Sequence, residues 1–184
     1  MLATTEMRTG MGGKPDQQRF EALWREHRGI VLKVAGVYAR SAEERLDLAQ
    51  EIGAQLWRSF ASFDERRAKF STWLYRIALN VAISHLRRTG GEVGRFEPLD
   101  DGHLETIAGE PAAEPDERLA ALHAFIGELD ALNRALILLY LEDRSYAEIA
   151  EVLGISATNV ATKINRIKQK LRGRMTAATV TGGA

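Results

Sequence analysis

The residues best suited to chemistry in this 184-residue sequence are hydroxyl, amide and cationic side chains within residues 156–174, a stretch with six basic residues and no acidic one. Cationic groups attract phosphate, and amide or hydroxyl groups can hydrogen-bond to base edges. The side chains that could do so are Thr158, Asn159, Thr162, Lys163 and Arg166, with Lys170 on the same side. This pattern favours nucleic-acid binding over a merely solvated helix face.

Two short helices and a tight turn must position these side chains. Ser145 and Glu148 form a capping box that starts the first helix, and Gly154 supplies the left-handed residue that ends it. Ser156 then caps the second helix, whose buried side is predicted from apolar residues at steps of four, three and four: Val160, Ile164, Ile167 and Leu171. The spacing predicts a helix-turn-helix with the polar residues facing outward.

The rest of the chain also shows helical periodicity and no sustained β alternation, so we predict an all-α fold. Ser41 and Glu44 form a further capping box, which starts the second helix. Ser71 can cap a third helix that begins at 70–71, after a loop at 64–69. Asn133 can cap an apolar helix over 134–141.

The charge distribution divides the chain, although its net charge is zero. Residues 19–88 carry 13 basic and 8 acidic side chains, residues 89–118 carry two and nine, and residues 119–155 carry two and six. Residues 89–115 also hold five glycines and three of the four prolines, which is the composition of a linker. We therefore predict two small helical domains, 16–88 and 116–174, joined by an acidic Gly/Pro-containing linker. Residues 1–15 are predicted to be a disordered extension, and 175–184 a flexible tail.

Composition and motifs argue against several classes of protein. The chain has no cysteine, which excludes thiolate metal sites and cysteine nucleophiles, and no apolar run long enough to span a membrane. Its four histidines lie far apart, and it contains no metal-binding, phosphate-loop or nucleophile-elbow motif. We expect a cytoplasmic protein with no catalytic residue, metal, cofactor or small-molecule substrate.

Two sets of motifs resemble a known family. DLAQE at 47–51, FSTWLYRIALN at 70–80 and HLRR at 85–88 resemble region 2 of a bacterial RNA polymerase sigma factor. SYAEIAEVLGIS at 145–156 resembles region 4. With only these regions and a short linker, the chain is most similar to the extracytoplasmic-function (ECF) group of the sigma-70 family. The resemblance implies a protein that binds core RNA polymerase and directs transcription initiation from promoters with minus-10 and minus-35 elements.

The resemblance also implies roles for individual residues. The polymerase β′ clamp would contact Asp47, Gln50, Glu51, Leu56 and Trp57, and the apolar segment 136–141 would contribute to the β flap contact. The loop at 61–70 and the helix after it would recognise and melt the minus-10 element with Trp73, Tyr75, Arg76, Asn80 and His85, although Trp73 also fits a core position. The minus-35 element would be read by the five residues 158, 159, 162, 163 and 166. Because Thr158 and Asn159 differ from the commonest family residues, the minus-35 sequence cannot be taken from relatives.

The residues leave several alternatives open. A helix-turn-helix regulator would bind duplex DNA without polymerase, usually as a dimer. A helical protein-interaction adaptor would explain the apolar stripes but not the basic helix. The acidic linker can be a nucleic-acid mimic or a simple tether. The two domains can also cover each other's DNA surfaces, either through the linker or through the anti-sigma factor that the resemblance implies.

Overall fold

A computed structural model describes residues 14–90 and 117–181, and every regular element in these ranges is helical, which confirms the all-α prediction. The helices are α1 (Lys14–Tyr38), α2 (Ala42–Ser59), α3 (Phe70–Arg88), α4 (Glu117–Glu128), α5 (Ala131–Leu141), α6 (Tyr146–Leu153) and α7 (Ala157–Thr181), with a 3-10 turn at Phe60–Ser62. Nearly all of the predicted linker and N-terminal extension lies outside the described residues.

Helices α1, α2 and α3 form the N-terminal unit, a bundle in which each helix packs against the other two. Ser41 caps α2 as predicted, since its Oγ accepts the Glu44 N–H at 3.1 Å. The predicted capping box is corrected in its second half: the Glu44 carboxylate accepts the N–H of Arg40, the residue before the cap, at 2.6 Å. The interior of the bundle is apolar and includes Val34, Leu48, Ile52, Leu56, Leu74 and Leu79. These side chains bring the ends of the three helices into fixed positions.

An aromatic cluster joins the end of α2 to the start of α3. The ring centroids of Phe63 and Phe70 lie 5.3 Å apart, and those of Phe63 and Trp73 lie 5.1 Å apart. The Arg19 guanidinium lies 5.8 and 5.7 Å from the ring centroids of Phe60 and Phe63. Such ring and cation–π contacts stabilise the cluster beyond what the burial of apolar area contributes. The short loop at 64–69 is therefore held at both ends.

Helices α4 to α7 form the C-terminal unit. Helix α5 is its centre, because five consecutive side chains from Ala135 to Leu139 are buried. Arg134 is buried as well, and its guanidinium donates to the backbone oxygens of Leu129, at 2.8 Å, and of Gly127. A buried cation with hydrogen bonds to carbonyls is tolerated, and here it fixes the turn between α4 and α5.

Two predicted helix caps are corrected by the structure. Helix α3 begins at Phe70 after Lys69, so Ser71 lies inside the first turn and does not cap the helix. Asp130 caps α5 by accepting the Asn133 N–H at 3.0 Å, because Asp130 rather than Asn133 occupies the extended position before the helix. Helix α7 continues to Thr181, into the segment 175–184, and the flexibility of that segment stays a prediction.

The two units pack directly on one another. Helix α1 contacts α4 and α5, helix α3 contacts α5 and α6, and one hydrophobic cluster extends through both units. The fully buried Tyr38 donates its hydroxyl to the Ala131 backbone oxygen at 2.6 Å across this junction. Two units that are separate in the sequence therefore share one core.

Candidate nucleic-acid interface

Helices α6 and α7 form the predicted helix-turn-helix. The capping box is confirmed, since Ser145 Oγ accepts the Glu148 N–H at 3.2 Å and the Ser145 N–H donates to the Glu148 carboxylate at 2.9 Å. These hydrogen bonds from Ser145 hold the pKa of Glu148 below its usual range. Gly154 has φ of +68°, a conformation that glycine adopts without strain. The turn between the two helices is therefore set by local chemistry.

The second helix of this motif, α7, presents the predicted polar face. Its apolar positions Val160, Ile164 and Ile167 are buried, and Ser156 Oγ accepts the Asn159 N–H at 3.1 Å, as expected of a cap. Side chains on the opposite side are exposed, with Lys163 half-buried at the rim; the exposed ones are Thr158, Asn159, Thr162 and Arg166. The Thr162 hydroxyl donates to the Thr158 backbone oxygen at 3.0 Å, which leaves it an acceptor. The exposed Asn159 side chain carries an amide, which can both donate to and accept from a base edge.

The charges on α7 fall into two groups. Lys168 donates to the Tyr140 hydroxyl at 2.6 Å, and Arg174 forms an ion pair with Glu128, so both attach α7 to its own unit. Within residues 14–90 and 117–181, the ion pairs include neither Lys163 nor Arg166. These two cations remain available for phosphate oxygens or base edges.

The exposed side of α2 gathers most of the residues predicted to bind polymerase. Asp47 and Gln50 are exposed, and Trp57 is 40% exposed although it is a large apolar side chain. Leu46, which is not among the predicted contacts, is 54% exposed on the same side of the helix. Its position three turns before Trp57 is the signal that could have identified it. An exposed apolar pair beside polar groups is typical of a protein-binding surface.

The other two predicted polymerase contacts are placed differently. Leu56 is fully buried because it lies on the core stripe of α2, so a direct contact with a partner is corrected to a role in the core. Glu51 is half-buried and accepts two hydrogen bonds from Arg88, at 2.8 and 2.9 Å. Within the segment 136–141, only Leu141 is largely exposed.

The predicted minus-10 residues of α3 are divided between surface and interior. Arg76 and Asn80 are exposed, and Trp73 is half-buried in the aromatic cluster. Tyr75 is only 1% exposed, so it cannot hold an unstacked base in this conformation; burial and the nearby Glu142 carboxylate raise its pKa to about 12. The prediction of an accessible Tyr75 is corrected, because the C-terminal unit covers this ring.

His85 is also occupied within the N-terminal unit. Its Nε2 lies 2.9 Å from the Glu44 carboxylate, and its Nδ1 lies 3.6 Å from that of Glu51. The side chain is 12% exposed. This geometry makes His85 a link between α2 and α3, and its contact with DNA stays a prediction.

The fold and the basic helix define an α-helical DNA-binding protein with two modules. Comparison with known proteins identifies both modules: residues 23–92 match Sigma-70 region 2, and residues 119–171 match Sigma-70 region 4. The RNA polymerase sigma-H factor of Pseudomonas aeruginosa is 30% identical over 166 residues, which cover 85% of this chain and 86% of that protein. The ECF sigma factor SigW of Bacillus subtilis is 30% identical over 172 residues, 88% of this chain and 91% of that protein. The chain belongs to the sigma-70 family of RNA polymerase sigma factors, in the ECF group.

Solved structures agree with this assignment. One is the sigma factor RpoE from Bartonella quintana in complex with the anti-sigma factor NepR. It superposes with a TM-score of 0.66 over 86% of this chain and 98% of that chain. Its sequence identity is 18%, so it supports the fold. CnrH, in complex with the cytosolic domain of CnrY, superposes with a TM-score of 0.62 over 88% and 90%, at 27% identity.

Family membership establishes the function. The protein is a transcription initiation factor that acts with core RNA polymerase on promoter DNA, so the alternatives of a polymerase-independent regulator and of an adaptor are not favoured. Among the described helices, none is both long and apolar enough to cross a bilayer. The described residues also contain no cluster of His, Asp or Glu side chains that could hold a metal ion.

Proposed function

We propose that the amino-terminal half of α7 reads the minus-35 element in the major groove. One combination of features carries this assignment. The turn at Gly154 fixes the start of α7, and the cations Lys163 and Arg166 on its polar face form no ion pair in the described ranges. We assign the exposed Asn159 and Arg166 to base edges, and the half-buried Lys163 to phosphate. Thr158 and Thr162 add hydroxyl oxygens on the same face.

We assign minus-10 recognition to the N-terminal unit, with Arg76 and Asn80 as the residues that touch the strand. Both are exposed on α3, next to the loop that the aromatic cluster supports. Trp73 and His85 support this surface from within the unit, and Tyr75 joins it only when the C-terminal unit moves away. Amide and cationic groups can hold an unstacked base and its phosphate.

We assign the contact with the β′ clamp to the exposed side of α2. Leu46 and Trp57 supply apolar area, and Asp47 and Gln50 supply polar groups around it. Glu51 borders this surface through its ion pair with Arg88. Leu141 is the residue of α5 that we propose for the β flap.

The protein has, in this proposal, no catalytic activity of its own, and it acts in the cytoplasm with the polymerase that makes the RNA. We also propose an anti-sigma factor as a regulatory partner. The solved complex of a sigma factor of the same fold with the anti-sigma factor NepR supports this partner.

The test is run-off transcription with purified protein, core polymerase and genomic fragments. We expect RNA with defined 5′ ends only when both proteins are present. A double variant Asp47→Ala/Gln50→Ala should lose polymerase binding and keep the fold. Lys163→Ala should keep polymerase binding and lose promoter occupancy in footprinting. Equal losses in both assays, or specific duplex binding without polymerase, would contradict the assignments.

A further inference from the structure

A pocket of about 160 Å³ lies where helices α1, α4 and α5 meet the start of α2. Its walls are mostly apolar, and the large apolar side chains that line it are Leu32, Val37, Ile126, Leu138 and Leu141. The described residues that line the pocket include none of those that we assign to promoter bases or to the β′ clamp. The pocket is therefore separate from both of these surfaces.

A buried cation without a partner lines this pocket. Arg45 is only 8% exposed, and it is one of the lining residues. Its guanidinium forms no hydrogen bond, ion pair or ring contact with another residue of the described ranges. A guanidinium carries several N–H donors, and a buried charge is costly unless an anion or other acceptors satisfy it. The pocket therefore presents a group that an anionic ligand would satisfy.

The other charges at the pocket do not supply that anion. The Lys33 ammonium lies 2.8 Å from a carboxylate oxygen of Glu142, and both residues line the pocket, so these two charges neutralise each other. His123 of α4 is half-buried and also lines the pocket, where its ring can donate a further hydrogen bond. The uncompensated charge of the pocket is therefore that of Arg45, and it is positive.

The volume and the walls of the pocket restrict the size and chemistry of a ligand. An apolar cavity of about 150 Å³ is large enough to hold one benzene molecule. A guanidinium binds a carboxylate through two parallel hydrogen bonds, which are stronger than its bonds to a neutral acceptor. The combination fits a small carboxylate whose apolar body fills the pocket and whose charged group reaches Arg45.

We propose that this pocket is a binding site for a small monocarboxylate with an apolar body, in which Arg45 binds the carboxylate and His123 supplies a second donor. The ligand contacts helices of both units at once, and it raises the thermal stability of the protein because it binds the folded state. The site does not depend on the promoter or polymerase assignments. Its test therefore needs neither DNA nor polymerase.

The test titrates benzoate into the ¹⁵N-labelled full-length protein and follows the backbone amides by NMR. A ligand of about nine non-hydrogen atoms should bind with a Kd on the order of 0.1–1 mM. The amide signals of Gly36, Arg45 and Leu138, which line the pocket, should shift and saturate together. Benzamide, which has the same shape without the charge, should bind about tenfold more weakly. Acetate, which lacks the ring, should not saturate these signals in the same range.

Two substitutions of Arg45 separate the charge from the shape of the pocket. Arg45→Met keeps an apolar stem and removes the charge, so it should weaken benzoate about tenfold and change the affinity for benzamide by less than about twofold. Arg45→Lys keeps the charge without the forked donors and should give an intermediate loss of benzoate affinity. Arg58→Met is the matched control, because Arg58 is exposed on the same helix and does not line the pocket; it should leave both affinities unchanged.

The Tm of the ligand-free protein provides a further measurement. Arg45→Met should leave the Tm unchanged or raise it, because the substitution removes a buried charge that has no partner. A lower Tm would show that the guanidinium is already satisfied within the fold, and would overturn the proposal. Signal shifts confined to the basic face of α7, or equal affinities of the parent protein for benzoate and benzamide, would also overturn it. Equal losses of benzoate and benzamide in both Arg45 variants would do the same.

Discussion

Asn159→Ala should remove sequence discrimination at the minus-35 element and leave the protein folded. The Asn159 side chain is exposed, and the hydrogen bond that its backbone N–H donates to Ser156 Oγ at 3.1 Å survives the change. Alanine also has the higher helix propensity, by up to about 0.7 kcal/mol, so α7 is not weakened. The lost contact with a base edge is worth about 1–3 kcal/mol, or roughly 5- to 150-fold in promoter binding.

The assay compares two templates that differ only in the minus-35 element, one intact and one scrambled, with holoenzyme made from parent or variant protein. The parent should distinguish them, and Asn159→Ala should bring their occupancies together. Lys170→Ala is the control, because this residue lies about 10 Å farther along the helix axis than Lys163. Lys170→Ala should weaken holoenzyme binding to both templates equally. It should also lower the salt dependence of that binding by the amount expected for about one phosphate contact. Full discrimination by Asn159→Ala, with α7 intact by circular dichroism, would refute the reasoning.

Three further changes test the fold. Gly154→Ala forces a residue with a β-carbon into a φ of +68°, although no neighbouring atom lies within 4 Å of that carbon. It should lower the free energy of unfolding, measured in urea titrations, by about 1–2 kcal/mol. Gly154→Asn should lower it by less, because asparagine adopts this conformation more readily. Tyr38→Phe removes the hydrogen bond between the units and should cost about 0.5–1.5 kcal/mol in the same titrations, whereas no loss would mean that the bond adds nothing. Burial raises the pKa of Glu44, but hydrogen bonds from the Arg40 N–H and His85 outweigh it and bring that pKa below the usual value. The ionised Glu44 therefore stabilises the fold above the usual glutamate pKa, and this stabilisation is lost as pH falls through the lowered pKa. Glu44→Gln should flatten that part of the stability profile, and an unchanged profile would contradict the linkage.

Features set by neighbouring residues could be predicted from the sequence. The Ser41 cap, the capping box of Ser145 and Glu148, and the left-handed Gly154 depend on residues that are close in the sequence, and the structure contains all three. The buried face of α7 could be predicted for a similar reason, since its apolar positions recur at helical spacing.

Features that depend on packing between distant parts of the chain could not be predicted from the sequence. Tyr75 is buried because a unit about 70 residues away covers it, and no local pattern records that contact. The resemblance implies that Leu56 contacts polymerase, but its side chain lies on the buried side of α2 and packs in the core. Asp130 was missed as a cap because Asn133, three residues on, is also a good capping residue.

The third helix of the N-terminal unit ends at Arg88, 43 residues before Ala131, so this unit is synthesised before the segment that covers it. At about 5–20 residues per second, the interval lasts roughly 2–9 s. During that time the nascent chain carries its first module complete and uncovered. A ligand for that module therefore meets it in its most accessible form during synthesis, before the remainder of the polypeptide arrives to compete.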